Sequence, residues 1–149
     1  MSIPTYHEDF HAWALQNAQL LRDGRLQEID INYVAEELED MGASKERELE
    51  NRLGILLAHL LIWIYQPERR GNSWQATIEE QRRRIERLLR KNPSLKSKLN
   101  ECFGDAYGDA RLIAARETSF NKSRFPETCP FTLEQTLANL YWPESDNVP

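Results

Sequence analysis

The sequence has little of what builds a metal centre or a crosslinked scaffold: two cysteines and three histidines in 149 residues. Cys102 and Cys129 form no metal-ligand spacing and no disulfide framework. They read as buried, reduced thiols of a cytoplasmic protein. Long apolar runs are also missing. The longest, Ile55–Tyr65, is interrupted by His59 and falls short of the roughly 20 residues a membrane span needs. The start, MSIPTYHEDF, has neither a basic opening nor an apolar stretch, so no signal peptide is expected. An excess of positive charge is absent as well. Lys and Arg number 19 against 24 Asp and Glu, for a formal charge of −5. A weakly acidic chain has no global attraction for nucleic acid or anionic lipid. Finally, no stretch shows the alternation of a strand, and no repeat or low-complexity segment stands out.

What is present is helical periodicity. Apolar residues make up 40% and charged residues 29%, a balance that supports a folded domain. The length suits a single helical domain over 1–149, with an ordered core of about 5–143 and a frayed tail, 144–149. Thr5 and Glu8 form a capping box ahead of a first helix whose apolar face includes Tyr6, Phe10, Trp13, Leu20 and Leu21, with Gly24 closing it. Asp30 suits the cap of a short second helix, with Ile31, Val34, Leu38 and Met41 inward and Gly42 ending it. Ser44 suits the cap of a third, stopped by Pro67. That third helix carries a leucine stripe from Leu49 to Ile64, and its opposite side, Gly54, Ala58, Ile62 and Tyr65, is also uncharged. A helix apolar on most faces is central or forms an oligomer interface. Ser73 suits the cap of a fourth helix, and Asn92-Pro93 starts a fifth. Thr132 and Gln135 make a second capping box, for a last helix through Leu140. The expected fold is all-α, a bundle of about four main helices with short additional ones.

A series of landmarks runs through this pattern. They are Y-x-x-D-F-x-x-W (Tyr6 to Trp13), A-E-E (Ala35 to Glu37), H-L-L-x-W-x-x-Q-P (His59 to Pro67), S-W (Ser73, Trp74), N-P-S-L (Asn92 to Leu95), A-Y-x-x-A-R (Ala106 to Arg111) and F-P-x-x-C-P-F-T (Phe125 to Thr132). Over Tyr6 to Pro143 the chain resembles the bacterial domain-of-unknown-function family 29 (DUF29). The resemblance implies a compact helical protein and brings no catalytic residue, substrate or cofactor with it. At the position of Ile62 the family often has lysine, so a charge beside His59 is missing here.

Chemistry-bearing residues gather in few places. His7 and His11 share a helix face, and with His59 they are three imidazoles of the kind that hold zinc. The set lacks the further ligands and repeated motif such bundle sites use, and no metal or cofactor is expected. His59, with Arg52 and Gln66 seven residues to either side, forms a polar seam along a core helix. A carboxylate from Glu36, Glu37 or Asp40 beside His59 would resemble a general-base pair, yet no nucleophile accompanies it. In QPERRGNSW, helix grammar accounts for Pro67, Gly71 and Ser73 and leaves Gln66, Arg69, Arg70 and Trp74. With His59 and Glu37, these are the candidate binding residues. A basic run, residues 82–91, offers a cationic helix face partly neutralised by Glu79, Glu80 and Glu86.

The reading is a small, cytoplasmic, non-catalytic module that binds a partner protein or itself. Two-sided apolar character and the small-residue pairs Gly54/Ala58 and Gly104/Gly108 motivate it. The alternative is a nucleic-acid-associated regulator using the basic face of 82–91. A metal-dependent or acid–base enzyme centred on His59 comes third.

Overall fold

The computed structural model describes residues 5–144. These residues contain helices and no strand, so the chain is all-α. The α-helices are α1 (Phe10–Arg22), α2 (Ile31–Tyr65), α3 (Asn72–Lys91), α4 (Leu99–Thr118) and α5 (Leu133–Leu137). Four are substantial and the last is short. Apart from Glu144, the expected frayed tail lies outside the described residues. The chain forms two compact units, divided between Ser44 and Lys45. Among the described residues no helix is long and apolar enough to cross a membrane.

In the first unit, the Thr5–Glu8 box forms its reciprocal bonds, each 3.3 Å, but they close a turn rather than the helix. Asp9 is the cap of α1, accepting from the backbone N–H of Ala12 at 3.1 Å. At the other end Gly24 lies at φ +71, and Arg25 N–H reaches back to the Leu20 carbonyl at 3.0 Å. This is the left-handed helix stop that glycine fills without strain. We expect Gly24→Ala to destabilise the protein by about 1–2 kcal/mol in chemical denaturation, the cost of holding a Cβ in that conformation. No neighbouring atom approaches within 4 Å of the added Cβ, so the loss reports backbone strain alone.

The buried Asn17 joins α1 to the start of α2. It donates to the Trp13 carbonyl at 3.0 Å and accepts from the Asp30 N–H at 2.9 Å. The Asp30 carboxylate accepts from the Trp13 indole at 3.1 Å.

The expected stop at Gly42 and restart at Ser44 do not occur. α2 is one helix of 35 residues, with both positions in its interior. Ser44 Oγ donates to the Met41 carbonyl at 2.7 Å, so its hydroxyl is satisfied within the helix. A mid-helix glycine costs only about 1 kcal/mol relative to alanine, too little to end a helix by itself. The stop comes at Pro67, which lacks the N–H a further turn requires.

In the second unit, residues 45–65 of α2 form the central element. Every member of the leucine stripe from Leu49 to Ile64 is buried, and so are Ala58 and Ile62 on the opposite side. The core also takes in Ile78, Ile85 and Leu88 from α3 and Cys102, Ala106, Tyr107 and Ala110 from α4. The Gly54/Ala58 side is covered by α4: a Cβ on Gly54 would lie 3.7 Å from the Ala106 carbonyl oxygen. Over residues 45–65, two-sided apolar character therefore marks a central helix, covered on both sides within the chain. Gly104 and Gly108 face open space rather than a neighbouring helix.

α3 starts at Asn72 with Gly71 as cap, slightly ahead of the expected Ser73. Asn92 is the cap residue of the helical segment that Pro93 opens, as expected, but its side chain turns back to donate to the Leu88 carbonyl at 3.0 Å, closing α3. Pro93–Lys98 forms a tighter 3-10 segment before α4 begins. The Thr132–Gln135 capping box forms as expected, and α5 ends at Leu137, short of Leu140.

Candidate functional site

The helix corner at residues 59–74 is built by capping and stacking. His59 is half-buried, and its Nδ1 lies 2.8 Å from the Ile55 carbonyl. A carbonyl only accepts, so Nδ1 carries the proton and Nε2 is left as the second ring position. Arg70 folds back over the last turn of α2: its Nε donates to the Trp63 carbonyl at 2.6 Å, and its guanidinium lies 5.1 Å from the Trp63 ring centre. A cation at a helix C-terminus complements the carbonyls exposed there. Arg69 is exposed in the 3-10 turn Pro67–Arg69, and Trp74 packs half-buried on the core.

Two further residues complete this seam, Arg82 from the basic run and Trp142, which no sequence pattern singles out. Trp142 packs on Trp63 with ring centres 4.8 Å apart, and Arg82 lies 5.6 Å from the Trp142 ring centre. The order Arg70, Trp63, Trp142, Arg82 is a ladder of two cations and two indoles. Arg82 is 3% exposed, and its Nε donates to the Thr136 carbonyl at 2.9 Å. It therefore belongs to the core and not to the basic face assigned to 82–91. Its spacing from Ile78 and Ile85 places it in the α3 apolar stripe, a signal present in the sequence. Trp142 had no such periodicity to reveal it. Buried side-chain atoms without a partner include Gln66 Oε1, Arg70 Nη2 and both terminal nitrogens of Arg82. Burial lowers the Arg82 pKa. The ladder thus presents hydrogen-bond donors stacked on two indoles.

Glu37 takes a different partner. In the first unit it accepts a short hydrogen bond from the Tyr6 hydroxyl. Tyr6 stacks on Tyr33 at 4.4 Å and meets Trp13 edge-on at 4.9 Å. His7 Nε2 lies 3.2 Å from the Tyr33 hydroxyl. Glu36, Glu37 and Asp40 lie in α2, the helix that also carries His59, and not in a separate short helix.

The hydrogen bond to Glu37, then burial and the neighbouring charges of Glu37, Glu36 and Asp40, push the Tyr6 pKa up to about 12. A raised tyrosine pKa favours the neutral phenol in the fold. This contribution is present below pH 10 and is lost as pH rises through about 12. Burial also raises Tyr65, Tyr107 and Tyr141, so the Tyr6 ionisation near pH 12 is read from the difference between the ultraviolet titrations of the native protein and Glu37→Gln. Glu37→Gln should bring it back toward the usual value; an unchanged titration would remove Glu37 as the cause.

Cys102 and Cys129 are free, and burial raises both thiols, Cys129 to about 11, so neither is a thiolate near neutral pH. Burial, then Asp105, Asp109, Glu46 and Glu101, raises the Glu50 carboxyl. Among the described residues no three His, Cys, Asp or Glu side chains are grouped to hold a metal ion. On the outer face of α3, Arg84 pairs with Glu80 at 2.8 Å and Arg90 with Glu86 at 3.7 Å. A shallow basic hollow lies nearby, lined by Lys45, Glu48, Arg52, Arg84, Arg87 and Lys91 among others.

Of the hollows in the first unit, an apolar groove is one that the sequence does not foretell. It encloses about 400 Å³ between α1 and the first turns of α2, and its walls include Phe10, Ala14, Leu21, Val34, Leu38 and Met41. Leu38 is 62% exposed and Met41 is 64% exposed, with Phe10 and Leu21 about half exposed. The same residues give α1 and α2 their apolar stripes. Periodicity alone assigned them to a core, because it cannot tell a covered stripe from an open one.

The landmarks of the sequence answer one another in this structure. Tyr107 and Arg111 of A-Y-x-x-A-R hold the F-P segment: the Tyr107 hydroxyl donates to the Pro126 carbonyl in a short bond, and Arg111 Nη2 donates to the Phe125 carbonyl at 3.0 Å. Tyr6 of the first landmark meets Glu37 of A-E-E. Trp63 anchors the ladder at the corner. Comparison with known proteins agrees with these landmarks: the family model described as "Domain of unknown function DUF29" matches residues 5–142. No curated protein and no solved structure matches the chain. With nearly its whole length covered by that model, the chain belongs to the DUF29 family.

Proposed function

We propose that the protein is a non-catalytic interaction module of the cytoplasm that docks a partner protein in the groove between α1 and the start of α2. The single observation that carries this reading is a row of large apolar side chains left open along two adjacent helix faces. Exposed apolar surface of this kind is a common mark of an interaction site. The two free thiols with raised pKa values suit a reducing compartment.

The double variant Leu38→Gln/Met41→Gln tests the groove. Native protein should enhance the fluorescence of the apolar dye ANS, and the variant should lose most of that signal while keeping its helical circular dichroism. Equal dye signals would place the apolar surface elsewhere and end this reading. Light scattering over a range of concentrations separates self-association from docking of another protein.

A second reading draws on the basic hollow beside α3, where Arg87 and Lys91 add to Lys45 and Arg52. In it the protein associates with nucleic acid through phosphate contacts. Binding of nonspecific DNA at low salt, lost as salt is added, supports that reading. No binding at low salt removes it.

A further inference from the structure

The charge of the first unit narrows what the groove receives, given the docking reading above. Residues 1–44 hold nine acidic residues against Arg22 and Arg25, a net charge of −7. Residues 45–149 hold 15 acidic residues and 17 Lys and Arg, a net charge of +2. Arg25 is paired with Glu28, which leaves Arg22 as the one further cation in the first unit's sequence. Glu37 lines the groove itself. Glu36 and Asp40 lie on the same helix, close enough to act with Glu37 on Tyr6.

Shape adds a second constraint. Phe10 to Leu21 spans about 16 Å of helix, three turns, at 1.5 Å per residue. A trough of that length, walled by two helices, accepts a third helix through anchors near i, i+3 or i+4, and i+7. Exposed Met41 gives the wall a flexible, polarizable side chain that adapts to such anchors.

A second copy of the chain meets these constraints poorly. Its first unit would bring another −7 against the same acids. Its second unit carries the basic α3 face, but the large exposed hydrophobics there, among the described residues, are Leu112 on α4 and Leu140. We propose that the groove binds a basic amphipathic helix of a partner protein, its apolar stripe on Phe10, Leu21, Leu38 and Met41 and its lysines or arginines toward Glu37 in the groove wall and the acidic field of the first unit.

Three labelled synthetic peptides test this against the full chain by fluorescence anisotropy. One is a leucine–lysine amphipathic helix. The second is a leucine–glutamate helix with the same stripe. The third is a scrambled leucine–lysine sequence of identical charge. The leucine–lysine helix should bind at least about tenfold more tightly than the other two, and its affinity should fall as salt is raised. Leu38→Gln/Met41→Gln should weaken it at least about tenfold. Glu37→Gln should weaken it several-fold and flatten the salt dependence, with helical content unchanged in both variants.

Equal binding of the leucine–glutamate helix overturns the charge selection and leaves the docking reading standing. Equal binding of the scrambled peptide overturns the proposal in favour of diffuse attraction to an acidic surface. Failure of all three peptides, with the ANS response of the groove intact, overturns the helical occupant alone. Failure of the ANS response as well removes the docking reading beneath it.

Discussion

Lys45→Pro should destabilise the protein by about 3 kcal/mol or more, because residue 45 lies inside the continuous helix α2. Proline there removes one helical hydrogen bond, and its ring collides with the carbonyl four residues back. The result discriminates between two local structures. With a helix start at Ser44, residue 45 would be the first helical position, where proline is favoured. A tolerated Lys45→Pro would therefore refute the continuous helix. The companion change is Gly42→Ala. In a helix interior it should raise stability by about 1 kcal/mol. At a left-handed helix stop it would lower it, as expected for Gly24→Ala. Nothing lies within 4 Å of a Cβ built at Gly42, so packing does not obscure the sign. Chemical denaturation followed by circular dichroism measures both.

Leu57→Ala should cost about 2–5 kcal/mol, the range for a leucine removed from a packed interior. Leu57 is fully buried in the leucine-rich centre of the second unit. Leu38→Ala, on the same helix, should change stability by no more than about 0.5 kcal/mol, since Leu38 stands open in the groove. Residue type and helix are the same, so the contrast isolates burial. Similar losses at both positions would mean that Leu38 is covered in solution, and the groove reading would fail with it. The measurement is the denaturation midpoint of each variant with an unchanged slope.

The candidate site was partly legible. Trp63, Gln66 and Arg70 sit where the sequence places them, at the close of a core helix, because Pro67 sets that end whatever packs nearby. Arg70 was singled out as a cation left over at a helix end, and it does cap that end. Its stacking partner across the ladder, Trp142, comes from the chain's far end. No short-range pattern reports a contact between residues 63 and 142. Arg82 was counted with the exposed basic run because charge usually means solvent, although its spacing from Ile78 and Ile85 pointed inward. Glu37, one of three carboxylates that the sequence offers as a partner for His59, accepts from Tyr6.

The sequence by itself determined the helices, their apolar stripes, the leucine-rich centre and the strong punctuation at Gly24, Pro67 and Thr132. These depend on backbone conformation and side-chain period, which neighbours along the chain dictate. Tertiary structure alone decided three things. Gly42 and Ser44 stayed helical, because a mid-helix glycine and an unused cap cost about 1 kcal/mol each, less than the packing and hydrogen bonding of α2 supply. The two-sided apolar α2 became a covered centre, because α4 brings Ala106 against Gly54. The stripe of Phe10, Leu21, Leu38 and Met41 stayed open. Whether an apolar stripe is core or docking surface depends on what lies across from it, and periodicity carries no record of that.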